Sequence, residues 1–486
     1  MTDQQPQKES KGDLGLLRLT TFAIGTTLAS GVFSISGDMA ANGANTAAVL
    51  VGWFICGIGM LALMLCFYGL NKHRPDLRSG VYSYAREGFG DYIGFNSAWG
   101  YWISAMLANV SFATLLFASM GYFFPIFGTG NNLISVICAS ALIWFTVFLV
   151  LRGVSQAATI NAVVVIGKIL PIMVLIVAIV LSRAFDPKIF MDNFFGEPDG
   201  LGFLDQIKAT TYTTVWAFVG IEGAVVISAR AKKSKDAGSA SVISFLCLLA
   251  IYIMISVLSM GVLTRGELAE LGNPPMAGVL YHVVGTWGAT LVNFAVIVSL
   301  AGATFSYTIL AAESAYAPAA QGCFPKFFAS ENKKNAPFGS LILSNLIIQV
   351  FLIIVLFNES TYQVFYTLSA SMIMFPYLLS GMFYLKQILQ RHGTISQLSP
   401  GELAIQRIIA FTGTIYGAWL LYASGMIYVL ITALLYAPGT LVYIWSKKEK
   451  GEKAFSTLLD FAILIVILIM FVISAILIAN QTIQPF

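Results

Sequence analysis

Residues 26–33 read Thr26-Thr27-Leu28-Ala29-Ser30-Gly31-Val32-Phe33 and interrupt a hydrophobic segment near its middle. Residues 216–223, Trp216-Ala217-Phe218-Val219-Gly220-Ile221-Glu222-Gly223, interrupt a second one. Backbone in hydrocarbon must satisfy its own hydrogen bonds, so a loosened helix survives at that depth only where it lines a cavity. The C-terminal half of a broken helix offers free N–H groups and the positive end of its dipole. The N–H groups of Ser30, Gly31 and Val32, with the Ser30 hydroxyl, are therefore candidates for holding a carboxylate. Free carbonyls at Thr26 and Thr27, and from Ala217 to Val219, are candidates for an ammonium. A ligand bearing both charges needs both sets, because each charge loses its water in low dielectric. Two such breaks at matching places in two halves of a chain mark a transporter's central site. Ordinary helix packing is the alternative reading of Gly31 and Gly220.

Two ionisable residues, Glu222 and Lys168, lie away from the ends of their hydrophobic segments. Glu222 lies just past the second break, and acids within the membrane are rare and usually functional. It is expected to sense a cation or couple a gate; a protonated glutamate bonded to backbone or hydroxyl is the structural alternative. Lys168 sits in VIGKILP, Val165–Pro171. It is expected to act as a fixed cation or, with a lowered pKa, as a proton carrier. The alternative is a lysine that snorkels to the inner surface. Aromatic side chains near such a cavity stack on a cation or close over it. Trp216 belongs to the second break. Tyr101 and Trp102 sit in a third segment, with Asn109 about two helical turns beyond Tyr101.

The elements that must position these residues are membrane helices. The chain has 486 residues, 58% of them hydrophobic and only 10% charged. A soluble domain carries about 25% charge. Spans of about 20 apolar residues are expected at 16–36, 46–70, 94–123, 133–151, 160–182, 209–229, 240–264, 287–312, 339–357, 362–385, 408–424, 426–445 and 456–479. The first fifteen residues are polar, and no cleavable signal peptide is expected.

Charge sets the orientation. With the N-terminus inside, only Arg183, Lys188, Lys208 and Arg265 of the 27 Lys and Arg fall in outer loops. Lys168 lies within a span, and all the others fall on the inner side. A multi-pass cell-membrane protein with a cytoplasmic N-terminus is expected. The net charge of +4 follows from this topology and carries no nucleic-acid signal.

A cytoplasmic tail (1–15), a ten-helix transport core (16–390) and peripheral C-terminal helices (391–486) are expected. Spans 1–5 and 6–10 form two sets of five, and an odd number turns the second set upside down. The expected fold class is an all-α polytopic membrane protein with a five-plus-five inverted repeat. Helices 1 and 6 are broken, and two or three extra helices follow at the C-terminus. The stretch 71–93 is amphipathic and expected at the membrane interface before the third span. The five cysteines show no metal or redox spacing, and the three histidines lie outside the spans. No Gly-x4-Gly-Lys-Ser/Thr loop is present, which argues against an ATP-driven pump. No metal and no cofactor is expected, and an enzyme is disfavoured.

The strings SGVF (Ser30–Phe33) and WAFVGIEG (Trp216–Gly223) resemble the first- and sixth-helix signatures of the amino acid, polyamine and organocation transporter superfamily. GFNSAWGYWISAMLANVSF (Gly94–Phe112) is similar to the third helix of its basic amino-acid/polyamine antiporter family. GIEGAVVISARAKKSKDAG (Gly220–Gly238) looks like the arginine/ornithine antiporter branch. The resemblance implies alternating access and exchange of an amino acid against a related amine or amino acid. It gives the two breaks the roles read above, with Ala29 where the family usually has Gly. It places Trp216 as a gate, and Ser104, Asn109 and Ser369 around a distal pocket for the substrate side chain. It puts Tyr307 where arginine carriers usually have Trp. It places Lys168 where several members of the superfamily have a lysine and sodium-coupled relatives hold an ion.

The expected partners are amino-acid and amine substrates and the lipid bilayer, in a monomer or homodimer. Arginine/ornithine exchange is expected first. Lysine/cadaverine, histidine/histamine, agmatine/putrescine and tyrosine/tyramine remain open, as does a proton-coupled permease. The family more often has twelve spans than thirteen, which leaves the side of the C-terminus open.

Overall fold

A chain this apolar folds as helix, because only helices satisfy every backbone polar group within one membrane segment. The computed structural model describes residues 14–77, 80–152, 165, 168–169, 172–192, 194–196, 200–227, 231–357 and 362–483. Helices α1 (Leu16–Thr27) and α2 (Gly31–Ala41) are the two halves of the first span. They lead into α3 (Thr46–His73), a short α4 (Val81–Phe89), α5 (Asp91–Phe123) and α6 (Leu133–Leu151). The fifth expected span lies mostly outside the described residues, with α7 (Ile172–Leu181) as its visible end. After α8 (Pro187–Met191), α9 (Phe203–Phe218) and α10 (Gly223–Val226) are the parts of the sixth span, split by turns.

The second half continues through α11 (Ser234–Met260), two short helices α12 (Arg265–Glu270) and α13 (Pro275–Val284), and α14 (Thr286–Ala320). It ends with α15 (Phe338–Phe357), α16 (Tyr362–Gln390), α17 (Pro400–Ala423), α18 (Met426–Lys450) and α19 (Leu458–Ala479). Among the described residues ten helices are long and apolar enough to cross a membrane, the two halves α1 and α2 counting as one. Each matches one expected span. The other three expected spans correspond to the partly described fifth, the split sixth, and α17.

Burial separates centre from edge. The most apolar window of α5 is 89% buried, and those of α14 and α16 are 78% buried. The corresponding share in α19 is 6%, so this helix lies at the edge, with most of its residues facing outward. Helix α5 is thus the central post, and α14 and α16 pack along it. Antiparallel pairing of α5 with α16 is fixed by three contacts at descending depth. Ser111 Oγ donates to the Tyr362 carbonyl at 2.9 Å, Ser104 meets Ser369, and Tyr101 and Tyr377 converge on Glu222.

The amphipathic stretch forms α4, and its face is packed into the protein rather than laid on the surface. Tyr84 is sandwiched between Phe67 and Phe383, with ring centroids 6.3 and 6.2 Å away. Beside α4, Arg74 bonds Asp76 at 2.7 Å and Glu87 at 3.1 Å. The Arg74 guanidinium holds the Asp76 carboxyl below the usual carboxylate range. Lys447 of α18 pairs with Asp91 at the start of α5 and with Glu452, which ties a C-terminal helix to the central post.

The face from which α1 enters is the inner face in the expected orientation. There Leu14 and Ala231 form an isolated bridge, and the Lys232 N–H donates to the Leu14 carbonyl at 2.9 Å. That contact straps the entry of α1 to the segment that follows α10.

Candidate functional site

The two breaks lie against each other at the centre of the protein. Helix α1 stops at Thr27 because Leu28 leaves helical geometry, and α2 restarts at Gly31. Across the gap the Ala29 N–H turns back to the Thr27 carbonyl at 2.9 Å, and Phe33 opens the new helix by donating to the Ser30 carbonyl. Among the described residues, the N–H groups of Ser30, Gly31 and Val32 find no backbone acceptor outside α2. In the sixth span the chain turns over residues 219–222, with Gly220 at φ +99, a conformation that L side chains rarely adopt. A Cβ on Gly220 would lie 2.6 Å from the Tyr307 hydroxyl and 2.9 Å from the Thr26 carbonyl oxygen. Only glycine fits there.

Opposite helix ends are neighbours. A Cβ on Gly31 would lie 3.1 Å from the Ala217 Cα, so the N-terminus of α2 abuts the C-terminus of α9. Thr26 Oγ1 donates to the Gly220 carbonyl at 2.8 Å, which joins the end of α1 to the turn before α10. Each gap therefore brings a positive dipole end beside a negative one. Several carbonyls are already engaged. Lys168 Nζ donates to the Gly25 carbonyl at 2.8 Å, Ser299 Oγ to those of Leu28 and Ala29 at 3.2 and 3.1 Å, and the Tyr307 hydroxyl to that of Val219 at 2.9 Å. Tyr252 lies 3.5 Å from the Thr27 carbonyl. Among the described residues, the carbonyls of Thr26 and Ala217 accept no backbone bond from outside their own helices.

A roof covers the site on the α2 side. Trp216 Nε1 donates to Ser30 Oγ at 2.9 Å. The indole stacks on Tyr366, with centroids 5.2 Å apart, and packs against Phe112 at 5.5 Å. Phe112 in turn meets Tyr307 edge-on at 4.9 Å. A floor lies on the α1 side. Glu222 is fully buried and accepts from Tyr101 at 2.6 Å and Tyr377 at 2.5 Å. Eleven residues of α5 separate Tyr101 from Phe112, so roof and floor stand about 16 Å apart along that helix.

Between them lies Asn109. It is fully buried, and neither its amide oxygen nor its amide nitrogen has a partner among the described residues. A buried primary amide left unpaired costs about 1–3 kcal/mol, so this position favours a ligand that supplies both bonds. Ser104 and Ser369 behave differently. Their hydroxyls are 3.0 Å apart, and each donates to the other's carbonyl, at 2.7 and 2.8 Å. They satisfy one another and brace α5 against α16.

The residues expected from the sequence thus fall into groups. Ser30, Gly31, Val32, Thr26 and Ala217 form the open ends of the breaks. Thr27, Ala29, Val219 and Tyr307 maintain the breaks through bonds made inside the protein. Trp216 forms the roof, Tyr101 and Glu222 the floor, and Asn109 the space between. Lys168 is fully buried rather than reaching the surface, because the Gly25 carbonyl accepts from it. Trp102 points away, donating to Ser344 at 2.7 Å and packing on Trp99 and Phe328. Sequence reasoning missed Phe112, Tyr366, Tyr377, Ser299 and Asp38. Of these, only Asp38 carries a signal, as an acid at the very end of the first expected span. Among the described residues no group of three His, Cys, Asp or Glu gathers to hold a metal ion.

A family model described as amino acid permease matches residues 14–432. A Pseudomonas aeruginosa protein named arginine/ornithine antiporter is 42% identical over 457 residues, 92% of this chain and 94% of that one. The L-lysine transport protein of Corynebacterium glutamicum is 37% identical over 452 residues, 90% of each chain. The arginine/agmatine antiporter of Chlamydia caviae is 35% identical over 484 residues, 98% of this chain and 99% of that one.

Proposed function

The chain belongs to the amino acid permease family, and from that premise we propose that it exchanges a cationic amino acid for a related metabolic product, arginine for ornithine first. The observation that carries this reading is the pair of open helix ends. The Ser30, Gly31 and Val32 N–H groups with the Ser30 hydroxyl receive the α-carboxylate. The Thr26 and Ala217 carbonyls receive the α-ammonium. Asn109 meets the polar part of the side chain. Tyr307 spends its hydroxyl on Val219, so a cationic side chain would meet its ring rather than its oxygen. The roof at Trp216 and the floor at Glu222 would open in alternation, the first toward the outer face and the second toward the cytoplasm. The P. aeruginosa and Chlamydia relatives bear the names of antiporters, which supports exchange over one-way uptake.

Competition selects the pair. Unlabelled ornithine should inhibit entry of labelled arginine more strongly than histidine, tyrosine or agmatine. Stronger inhibition by one of those would replace the pair and keep the mechanism.

A proton-coupled permease is the second reading, favoured by the fully buried Lys168 with its single carbonyl acceptor. In both readings the ammonium occupies the space where a coupling cation would otherwise sit against the Gly25 carbonyl. Exchange should therefore run at the same rate when choline replaces sodium on both sides. Exchange that needs sodium would remove Lys168 from this role.

A further inference from the structure

Asp38 lies on α2 beyond the roof, and the mechanism above does not use it. Ser30, Ser34 and Asp38 recur every four residues, so they share one face of α2. Asp38 stands about 12 Å along the helix axis from Ser30, toward the outer end. It is 3% exposed. Its carboxylate accepts from the Tyr362 hydroxyl at 3.1 and 3.0 Å and from Gln363 Nε2 at 3.3 Å. Both donors are neutral and sit on the first turn of α16, and the neutral Ser34 hydroxyl, one turn back on α2, also bonds the carboxylate. Asp38 makes no ion pair with any described residue. A row of rings runs from it to the site: Tyr362 packs on Tyr366 at 5.7 Å, Tyr366 stacks on Trp216, and Trp216 holds Ser30.

A buried carboxylate with only neutral donors gains far less than one facing a cation, and its desolvation cost stays. In this closed arrangement the first turn of α16 fills the carboxylate's oxygens. If that turn moves away as the roof opens, the acid keeps only the Ser34 hydroxyl of its own helix and faces the entrance, on the same face of α2 as Ser30. We propose that Asp38 is an outer station for the ammonium or guanidinium group of an arriving substrate, which takes the places of Tyr362 and Gln363 as the roof opens. A neutral amino acid would gain nothing at this station. The residue would select for charge at entry, ahead of the central site. The proposal rests on the cationic-substrate reading and on the N-inside orientation.

The test is the Asp38→Asn variant in proteoliposomes, with exchange of labelled arginine measured separately from each face. KM from the face nearer Asp38 should rise about tenfold, with KM from the opposite face within about twofold. For citrulline, an uncharged analogue of arginine's shape, any exchange should keep its KM. Tyr362→Phe loosens the clamp, leaving Gln363, and keeps the acid, so it should hold or lower the arginine KM at the same face. Asp38→Glu should stay near the parent protein, and these two variants decide the matter if Asp38→Asn does not fold. An unchanged KM in Asp38→Asn, an equal rise at both faces, or the same rise in Tyr362→Phe would overturn the proposal, the last by reducing Asp38 to a structural clamp. If the parent protein exchanges no basic amino acid, the functional reading fails first and takes the proposal with it. A rise confined to the cytoplasmic face would overturn the orientation.

Discussion

Replacing Ser30 with leucine is expected to abolish substrate binding, by at least about a hundredfold, while leaving the protein folded and inserted. Ser30 is fully buried, and its hydroxyl accepts the Trp216 indole N–H. Leucine removes that acceptor and places branched carbon in front of the N–H groups of Ser30, Gly31 and Val32. A carboxylate held by charge-assisted bonds of about 1.5–3 kcal/mol each loses two or more of them. Ser30→Ala takes away only the hydroxyl, and a loss of about tenfold is expected, equivalent to one such bond. Equilibrium binding to purified protein, checked for monodispersity by size exclusion, measures both. Undiminished binding in Ser30→Leu would place the substrate carboxylate elsewhere.

Replacing Glu222 with alanine is expected to slow exchange by at least about tenfold, with the dissociation constant within about threefold of the parent. Glu222 joins three elements at one point: the turn before α10, α5 through Tyr101, and α16 through Tyr377. Without it two buried tyrosine hydroxyls lose their acceptor, at about 1–3 kcal/mol each. The floor then has no defined closed state. Substrate binding is set by the helix ends instead, so affinity and rate should separate. Glu222→Gln keeps the shape and one acceptor oxygen, and an intermediate rate is expected. Affinity lost in proportion to rate would make Glu222 a ligand instead of a gate.

The breaks were legible because their chemistry is local. A glycine beside polar residues at mid-depth cannot be explained by lipid contact, and Gly220 with its positive φ bears that reading. Lys168 was legible as a buried cation, but its partner was not, since a backbone carbonyl 143 residues away leaves no trace in composition. The mutual pairing of Ser104 and Ser369 was hidden for the same reason: which hydroxyls spend their bonds on each other depends on how α5 meets α16. The aromatic residues were hardest. Aromatics make up 13% of the chain, so Phe112, Tyr366 and Tyr377 could not be told from lipid-facing rings without the packing. Asp38 could have been found by the rule that drew attention to Glu222. It sits at the end of the first span, where an acid reads as the beginning of a loop.

Counterflow in proteoliposomes decides whether the site between the two breaks performs obligate exchange. Vesicles loaded with unlabelled ornithine or arginine should accumulate labelled arginine, and empty vesicles should take up almost none. Equal uptake into empty vesicles, rising with an inward proton gradient, would contradict exchange and make the protein a proton-coupled permease.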